Sequence, residues 1–291
     1  FPADGVTAVW TEIISACRGL ERSLSVAYLG PAGSFSEQAA FEHFGHATAS
    51  VPCVSFDDVF RAVEAGQADV GMVPVENSTE GAVNRSLDLL LGAQVQVLGE
   101  RSILIHHSLL TRSGTLDGVK TVMAHPQALA QCQDWLTRHH PTLERVAAAS
   151  NAEAARVAAG DDSIAAIAGE AAARAWKLGV VSAGIQDDPN NRTRFLAIGR
   201  MNTAPSGRDK TSLILAVPNQ AGAVYNMLAP LAANGVSMTR LESRPARNGQ
   251  WEYYFYVDVL GHRDDAPLQR ALETLSGQTA FLKILGSYPA Q

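Results

Sequence analysis

Between residues 24 and 200 the sequence alternates short apolar runs with longer amphipathic segments. The apolar runs predict strands, and the amphipathic segments between them predict helices. The predicted strands are Ser25–Leu29, Val70–Val73, Gln94–Ile105, Thr121–Met123, Ala165–Ala168 and Arg194–Gly199. The predicted helices are Ser36–Phe44, Phe56–Ala65, Asn84–Leu91, Gln127–His139, Asn151–Ala159 and Gly169–Trp176. This alternation indicates an α/β fold with mainly parallel sheets, whose ligand sites lie in the loops beyond the strand ends.

A second pattern begins after a linker-like stretch at residues 201–207. It predicts four strands and two helices in the order βαββαβ within about 80 residues, a split ferredoxin-like unit. The strands are Leu213–Val217, Val236–Arg244, Trp251–Val259 and Phe281–Tyr288, and the helices are Gly222–Asn234 and Pro267–Gly277.

A single helix is predicted ahead of both patterns. Its apolar positions recur every three or four residues: Val6, Val9, Trp10, Ile13, Ile14, Cys17 and Leu20. A lone helix of this length is marginal in water, so we expect it to pack on the next domain or on a neighbouring chain. The chain opens with Phe1 rather than Met, and we therefore expect it to be part of a longer protein.

Composition excludes several classes of function. The 291 residues suggest about two domains, and 46% hydrophobic content is typical of a globular protein. A formal net charge of −6 without Lys/Arg clusters argues against nucleic-acid binding. No apolar run reaches the roughly 18 residues of a membrane helix, and no signal peptide is evident. Three scattered cysteines indicate buried thiols in a reducing cytoplasm.

Two segments that follow predicted strands carry candidate ligand-binding groups. Gly30–Glu37 combines glycines with a serine at the start of a helix, which suits either an anion site or a plain strand-to-helix turn. Pro74–Gly81 places two carboxylates, an amide and two hydroxyls in one loop, which suits either a ligand site or a loop capped by its own side chains.

Two further segments have the same ambiguity. His125–Leu129 follows a strand, and Ser150 with Glu153 has the spacing of a helix capping box. Asp187–Phe195 is rich in charged and amide side chains, and a solvated surface loop is its alternative explanation. The HExxH, P-loop, GxGxxG and GxSxG motifs are missing, so nucleotide, metal and serine-hydrolase sites have no support.

In this order the four segments resemble prephenate dehydratase over Leu24–Gly199, and Asn191-Arg192-Thr193-Arg194-Phe195 resembles the Thr-Arg-Phe motif of that family. The tail resembles an ACT regulatory domain. Leu241-Glu242-Ser243-Arg244-Pro245 is similar to its Glu-Ser-Arg-Pro signature, and Gly222-Ala223-Val224 is similar to its Gly-Ala-Leu motif. Ser34 replaces the usual Thr, and Ala221, Val224 and Ser237 also depart from the family pattern.

The resemblance implies three regions. Residues 1–23 resemble the last helix of a chorismate mutase domain, 24–201 a dehydratase domain, and 207–291 the ACT domain. The expected fold class is α/β, with a two-lobed, periplasmic-binding-protein-like (type II) catalytic unit and a ferredoxin-like βαββαβ ACT domain. The second lobe is expected at about residues 104–184.

The resemblance also implies an activity, the conversion of prephenate to phenylpyruvate with loss of water and carbon dioxide, with no cofactor and no metal. Thr193 is implied as the catalytic residue; a Thr hydroxyl is a very weak acid, so we expect it to hydrogen-bond the leaving oxygen while a neighbour or water relays the proton. Closure of the lobes is expected to bring His125-Pro126-Gln127 over the substrate. The implied substrate-binding residues are Ser34, Phe35, Ser36, Asn77, Ser78, Gln127, Arg194 and Phe195.

The ACT resemblance implies feedback inhibition by L-phenylalanine and assembly into a homodimer or homotetramer. The implied phenylalanine-binding residues are Gly222, Ala223, Val224, Leu241, Glu242, Ser243 and Arg244. A side chain at Gly222 is expected to block close backbone approach. The expected location is the cytoplasm, with neither nucleic acid nor membrane as a partner.

Three alternatives remain at this point. Arogenate dehydratase is similar in sequence and accepts an amine in place of the keto group. A sensor or solute-binding module of the same fold would bind a small molecule without chemistry. Chorismate mutase activity is not expected, because one helix cannot form that active site.

Overall fold

The structure, a computed structural model, describes residues 3–217, 220–246 and 253–291. Its strands are β1 Ser25–Leu29, β2 Ala49–Cys53, β3 Val70–Asn77, β4 Gly81–Ala82, β5 Gln96–Leu104, β6 Ser108–Thr111, β7 Thr121–Ala124, β8 Glu144–Ala147, β9 Ile164–Ala168, β10 Gly179–Ser182, β11 Arg192–Gly199, β12 Asp209–Ala216, β13 Met238–Pro245, β14 Tyr253–Leu260 and β15 Phe281–Pro289. Its helices are α1 Ala3–Glu21, α2 Phe35–Phe44, α3 Phe56–Glu64, α4 Asn84–Gly92, α5 Pro126–Gln131, α6 Gln133–His139, α7 Asn151–Ala158, α8 Glu170–Trp176, α9 Ala223–Ala233 and α10 Ala266–Gln278.

Two sheets carry the strands that precede residue 200. The first has the order β2-β1-β3-β11-β5, with β4 paired to β3, and the second has the order β10-β6-β9-β7-β8. In the second sheet β7 runs parallel to β8 and β9, but β6 runs antiparallel to β9 and β10. The expectation of mainly parallel pairing is therefore wrong for this sheet. Both antiparallel pairs involve β6, which the chain enters directly from β5 of the first sheet, so no βαβ crossover within the second sheet leads into β6.

Most predicted elements are confirmed, and β1 has the predicted bounds Ser25–Leu29. The missed strands include β2 and β8, whose residues are mostly exposed and lack the apolar run of a buried strand. The predicted helix Gln127–His139 is two helices, α5 and α6, which meet at Cys132.

The C-terminal region has the predicted βαββαβ order, and its sheet has the order β13-β14-β12-β15. All three strand pairs in this sheet are antiparallel. One face packs against α9 and α10 through a core that includes Leu213, Met227, Leu231, Val257 and Leu268. The predicted start of the third strand, Trp251, lies outside the described residues.

The N-terminal helix α1 packs through small side chains rather than through its apolar residues. Ser15 is buried, and its hydroxyl accepts a hydrogen bond from Ala47 N over 3.1 Å. The apolar side chains instead lie on the exposed side of α1, with Trp10 57% and Leu20 89% exposed. Within the described chain, the predicted apolar stripe is thus mainly in contact with solvent.

The chain divides into two compact units. The first contains residues up to Val59, Met72–Val83 and Ser102–Phe195. The second contains Phe60–Gly71, Asn84–Arg101 and Leu196–Gln291. No helix within the described ranges is both long and apolar enough to span a bilayer.

The second unit joins α4 to the C-terminal sheet by three side chains. Tyr256 donates its hydroxyl to Leu87 O over 2.8 Å. Lys283 Nζ donates to the carbonyl oxygens of Leu90 (2.9 Å) and Leu91 (3.0 Å) in the last turn of α4, and to that of Ala93 (2.6 Å), which follows the helix. Arg244 Nη1 donates to Asn84 O over 2.7 Å, and Arg244 Nη2 pairs with Asp88 Oδ1 at 3.0 Å.

Candidate active site

A cavity of about 470 Å³ lies within the first unit. Residues from all four candidate segments line it, among them Phe35, Asn77, Gln127, Ser150 and Thr193. The structure therefore brings together segments that lie far apart in sequence. Among the described residues, no Lys or Arg side chain lines this cavity.

Ser34 forms the N-cap of α2 at the wall of the cavity. Its Oγ donates to Leu29 O over 2.7 Å and accepts from Glu37 N over 3.2 Å. Glu37 closes the same turn: Oε2 accepts from Gly33 N over 2.6 Å and Oε1 accepts from the Tyr28 hydroxyl over 2.5 Å. The Ser34 hydroxyl is thus already used by the turn, and its contact with a substrate stays a prediction.

The first turns of α2 and α7 present backbone amides to the cavity. Phe35 and Ser36 open α2, Asn151 and Ala152 open α7, and all four line the cavity. The first amides of a helix have no intrahelical acceptor, and the helix dipole makes that end positive. Such ends bind anions without a cationic side chain.

The predicted cap of α7 is confirmed. Ser150 Oγ accepts from Glu153 N over 3.0 Å. The Glu153 carboxylate does not close a capping box but pairs with Arg156, with a shortest contact of 2.6 Å. Asn151 joins the third segment to this helix, because its Oδ1 accepts from His125 N over 2.9 Å.

Asn77 lies at the end of β3, where it is buried and links the second segment to the fourth. Its Oδ1 accepts from the backbone amides of Thr79 (3.0 Å) and Glu80 (3.1 Å). Its Nδ2 donates to Thr193 Oγ1 over 2.9 Å and to Asn191 Oδ1 over 2.8 Å. Asn77 thereby fixes the hydroxyl of Thr193 from one side.

Two residues that sequence reasoning missed extend this network. Asn191 Nδ2 donates to Gln131 Oε1 over 3.0 Å, and His107 Nε2 lies 2.9 Å from the same oxygen. Both His107 and Gln131 line the cavity. His107 is only 1% exposed, and burial lowers its pKa below the ordinary 6.5. One signal was available for Gln131, because it follows the predicted ligand Gln127 by four residues on one helix face.

The strand β11 places its side chains on alternate faces. Thr193 and Phe195 line the cavity, whereas the intervening Arg194 does not. Arg194 Nη1 lies 3.9 Å from Glu76 Oε2. Ser78 also lies off the cavity, where its Oγ accepts from Arg192 N over 2.9 Å. Direct contacts of Arg194 and Ser78 with a substrate stay predictions.

The turn before α2 packs closely against α8, the helix that connects β9 and β10 of the second sheet. Gly33 has a φ of +85°, and a Cβ there would lie 2.5 Å from Ala172 Cα. Trp176 Nε1 donates to Ala32 O over 3.0 Å. On the cavity side, the rings of Phe35 and His107 meet edge to face at 5.6 Å. These contacts hold the first and second sheets together at the cavity.

The predicted phenylalanine-binding residues lie in the second unit. Gly222 has a φ of +77° and precedes α9, which begins at Ala223; a Cβ at Gly222 would meet nothing closer than Asn226 Nδ2 at 3.9 Å. Within the described chain its backbone conformation, rather than close approach, therefore favours glycine.

The other predicted residues of that site differ in exposure. Val224 and Leu241 are about two-fifths exposed, at 41% and 40%. Ser243 is exposed and Glu242 is half-buried on β13. Arg244 is committed to α4 through the contacts described above.

Over residues 3–217, 220–246 and 253–291, no group of three or more His, Cys, Asp or Glu side chains is arranged to hold a metal ion.

Comparison with known proteins decides the family. The prephenate dehydratase family model matches residues 26–203, and the ACT domain model matches residues 211–277. The chain belongs to the prephenate dehydratase family. The predicted enzyme class and the ACT domain are thereby confirmed, and so is the predicted α/β fold with a βαββαβ domain.

Curated relatives agree with this assignment. The bifunctional chorismate mutase/prephenate dehydratase of Neisseria gonorrhoeae is 50% identical over 291 residues, which cover 99% of this chain and 80% of the relative. The prephenate dehydratase of Mycobacterium marinum is 37% identical, covering 91% of this chain and 88% of the relative.

Two solved structures are about equally similar to this chain. The prephenate dehydratase of Arthrobacter aurescens in complex with L-Phe is 33% identical with a TM-score of 0.84, covering 92% of this chain and 90% of that one. GqqA, described as a novel type of quorum quenching acylase, is 33% identical with a TM-score of 0.83, covering 92% of this chain and 98% of that one.

Proposed function

We propose that the cavity of the first unit converts prephenate to phenylpyruvate and that Thr193 donates a hydrogen bond to the departing ring hydroxyl. The bond from Asn77 to Thr193 carries this proposal. Because Asn77 Nδ2 donates to Thr193 Oγ1, the threonine oxygen is an acceptor in that contact. Its own hydrogen stays available, and Thr193 lines the cavity.

The reaction breaks two bonds and needs one proton. The ring carboxylate leaves as carbon dioxide, its bonding electrons enter the ring, and the hydroxyl leaves with its own bonding pair. That hydroxide takes up one proton to become water, and aromatisation drives the reaction. A positioned hydroxyl donor stabilises charge on the leaving oxygen, which can lower a barrier by about 3 kcal/mol.

Neutral donors suit the two carboxylates of prephenate in this cavity. The amides of Phe35 and Ser36, the Ser36 hydroxyl and the Gln127 side chain are the proposed ligands, supported by their place on its wall. Phe195 supplies a buried apolar surface for the ring. Ser34 and Asn77 serve as residues that hold the site in shape, and Arg194 and Ser78 remain candidate ligands that would need to turn towards the cavity.

Arogenate is the second candidate substrate, and Glu80 is the observation that favours it. Glu80 is exposed and lines the cavity, where its carboxylate would attract an ammonium group. An acylase reaction is a third candidate, because the GqqA structure is as similar to this chain as the dehydratase structure is.

A parallel assay separates these possibilities. The full chain is given prephenate, arogenate and an N-acyl amide in separate reactions, and phenylpyruvate, phenylalanine and released fatty acid are quantified. We expect phenylpyruvate from prephenate at the highest rate. Phenylalanine from arogenate at a higher rate would assign arogenate dehydratase, acid release alone would assign an acylase, and ligand binding without product would assign a sensor.

Feedback regulation is proposed for the second unit. We propose that L-phenylalanine binds at Gly222, Ala223 and Val224 together with Leu241, Glu242, Ser243 and Arg244, and lowers turnover. The supporting observations are the ACT match and the similarity to a dehydratase solved with L-Phe. Because the C-terminal sheet bonds α4, a chain cut before residue 207 would lose those contacts, and titration of the intact chain is the better test. Millimolar L-phenylalanine should inhibit the wild type by about 5-fold or more.

We further propose a homodimer or homotetramer assembled through the ACT domains. The strand β13 pairs only with β14 in the described sheet, and Met238, Leu241 and Tyr253 are each about two-fifths exposed. Sedimentation at micromolar concentration tests this, and a monomer would contradict it. The proposed domain limits stay 24–201 and 207–291, with 1–23 as a mutase-like helix, and the proposed location is the cytoplasm.

A further inference from the structure

We propose that His107 is a positioning residue for this reaction, whose Nε2–H holds Gln131 and, through Gln131 and Asn191, the amide that orients Thr193. This inference rests on the proposed dehydratase function, because it assigns a role within the same cavity. Neither the sequence motifs nor the resemblance pointed to His107.

The hydrogen-bond directions of the network start at two backbone amides. The amides of Thr79 and Glu80 can only donate, so the atom of Asn77 that faces them is its oxygen. The nitrogen of Asn77 must then face Thr193 and Asn191. No choice of amide orientation is left at Asn77.

The same reasoning continues to the histidine. Asn191 accepts from Asn77 through Oδ1, so its Nδ2 is the end that reaches Gln131. Gln131 must answer with Oε1, which is an acceptor only. His107 Nε2, 2.9 Å from that oxygen, therefore carries the hydrogen, and the structure assigns the Nε2–H tautomer to His107.

Two atoms of the network are buried and unpaired as far as the described part of the chain is concerned. Gln131 Nε2 and His107 Nδ1 are both shielded from solvent and lack a hydrogen-bond partner among the described residues. Leaving such atoms unpaired costs stability, so packing alone does not account for the pair. Both residues line the cavity, so the unpaired atoms lie directly behind its wall.

The position of His107 explains how it acts at a distance. His107 directly precedes β6, and Gln131 is the last residue of α5. Asn77 is the last residue of β3 and Asn191 directly precedes β11, and both of these strands belong to the first sheet. The Gln131–Asn191 bond therefore links parts of the chain that carry different strands. Without the His107 donor, Gln131 is free to turn and present its nitrogen to Asn191. Asn191 must then turn as well, which sets its own nitrogen against Asn77 Nδ2, and these two opposed donors displace the amide that holds Thr193.

Two amide substitutions at His107 separate the effect of the donor's position from the effect of losing the imidazole ring. In His107→Gln the amide nitrogen reaches about where Nε2 lies, whereas in His107→Asn it reaches about where Nδ1 lies. We expect His107→Asn to lower kcat about tenfold with little change in KM, and His107→Gln to keep kcat within about threefold of the wild type. His262→Asn, which removes another buried histidine in the second unit, is the control for stability and should leave kcat unchanged.

The proposal would be overturned if kcat fell equally in the two His107 variants, or if both variants kept the wild-type kcat. A second readout does not depend on turnover: ¹⁵N–¹H correlation spectra of the histidine rings report which nitrogen carries the hydrogen. We expect the Nε2–H form for His107, and an Nδ1–H form would refute the assigned network. If the wild type fails to convert prephenate, the proposed function fails, while the spectra still test the network itself.

Discussion

The side-chain nitrogen of Asn77 donates a hydrogen bond to Thr193 Oγ1 over 2.9 Å, although 116 positions separate the two residues. This bond makes the threonine oxygen an acceptor on its protein side. The threonine hydrogen is then available to a molecule in the cavity. The chemistry proposed for the site therefore depends on an amide as much as on the hydroxyl.

Asn77→Asp tests the direction of that bond. One carboxylate oxygen still accepts from Thr79 and Glu80, so the loop keeps its anchors. The other oxygen replaces the donor, and Thr193 must then donate to it instead of to the substrate. We expect kcat on prephenate to fall about 10²-fold, the scale of one lost preorganised donor. The melting temperature should fall as well, because the new buried carboxylate faces Asn191 Oδ1 and the Arg192 carbonyl oxygen. Wild-type kcat in a folded Asn77→Asp variant would contradict the assigned direction.

Gly33→Ala tests the contact between the turn before α2 and α8. The new Cβ would lie 2.5 Å from Ala172 Cα, at a φ of +85°. We expect a loss of about 2–4 kcal/mol in unfolding free energy and a fall in kcat/KM. Gly118→Ala is the matched control, since its φ is +81° but no atom of the described residues lies within 4 Å of the added Cβ. Its loss should be only about 1–2 kcal/mol, with normal activity. Equal losses in the two variants would show that the turn does not depend on this close packing.

Glu80→Gln tests how the negative charge of Glu80 affects substrates that differ in charge. Glu80 is exposed and lines the cavity, where its carboxylate would repel a dianion. Removing one exposed charge is worth up to about 1 kcal/mol, so kcat/KM for prephenate should rise by up to about 5-fold. The same change should lower kcat/KM for any arogenate turnover, because an attractive carboxylate is lost. A fall in kcat/KM for prephenate would mean that Glu80 assists the reaction or the fold.

Burial lowers the pKa of His107 below 6.5, and this makes stability depend on pH. The unfolded chain takes up a proton at this histidine below about pH 6.5, whereas the folded chain resists it. The folded state therefore loses stability as pH falls through that range, by up to about 1.4 kcal/mol per pH unit. His106, the titratable neighbour, acts in the same direction on His107. Urea unfolding of the wild type and His107→Gln at pH 7.5 and 5.5 should show a smaller loss in the variant, and identical losses would contradict the linkage.

The sequence predicted elements that have a clear apolar run or period and missed several short strands that lack one. Strand β1 and the βαββαβ region follow from apolar periodicity. Strands β2 and β8 lack such periodicity because most of their residues face solvent. In the described sheets both are edge strands, and each pairs with the strand before it in the chain, β2 with β1 and β8 with β7.

The residues of the candidate site were also predicted only in part. Family resemblance selected Thr193 and Asn77, but the cavity also contains His107 and Gln131, whose burial and mutual contact arise only in the fold. Arg194 was expected to bind a carboxylate, although strand alternation alone places it on the opposite face from Thr193. The period of two was visible in the sequence and would have raised that question.

Single-turnover conversion of prephenate by Thr193→Ser and Thr193→Val tests the account most directly. Serine keeps a hydroxyl that can accept from Asn77 and donate to the substrate, whereas valine has nearly the shape of threonine without the donor. We predict that Thr193→Ser keeps at least about a tenth of the wild-type rate and that Thr193→Val loses about 10²-fold or more. A folded Thr193→Val variant that forms phenylpyruvate at the wild-type rate would contradict the account.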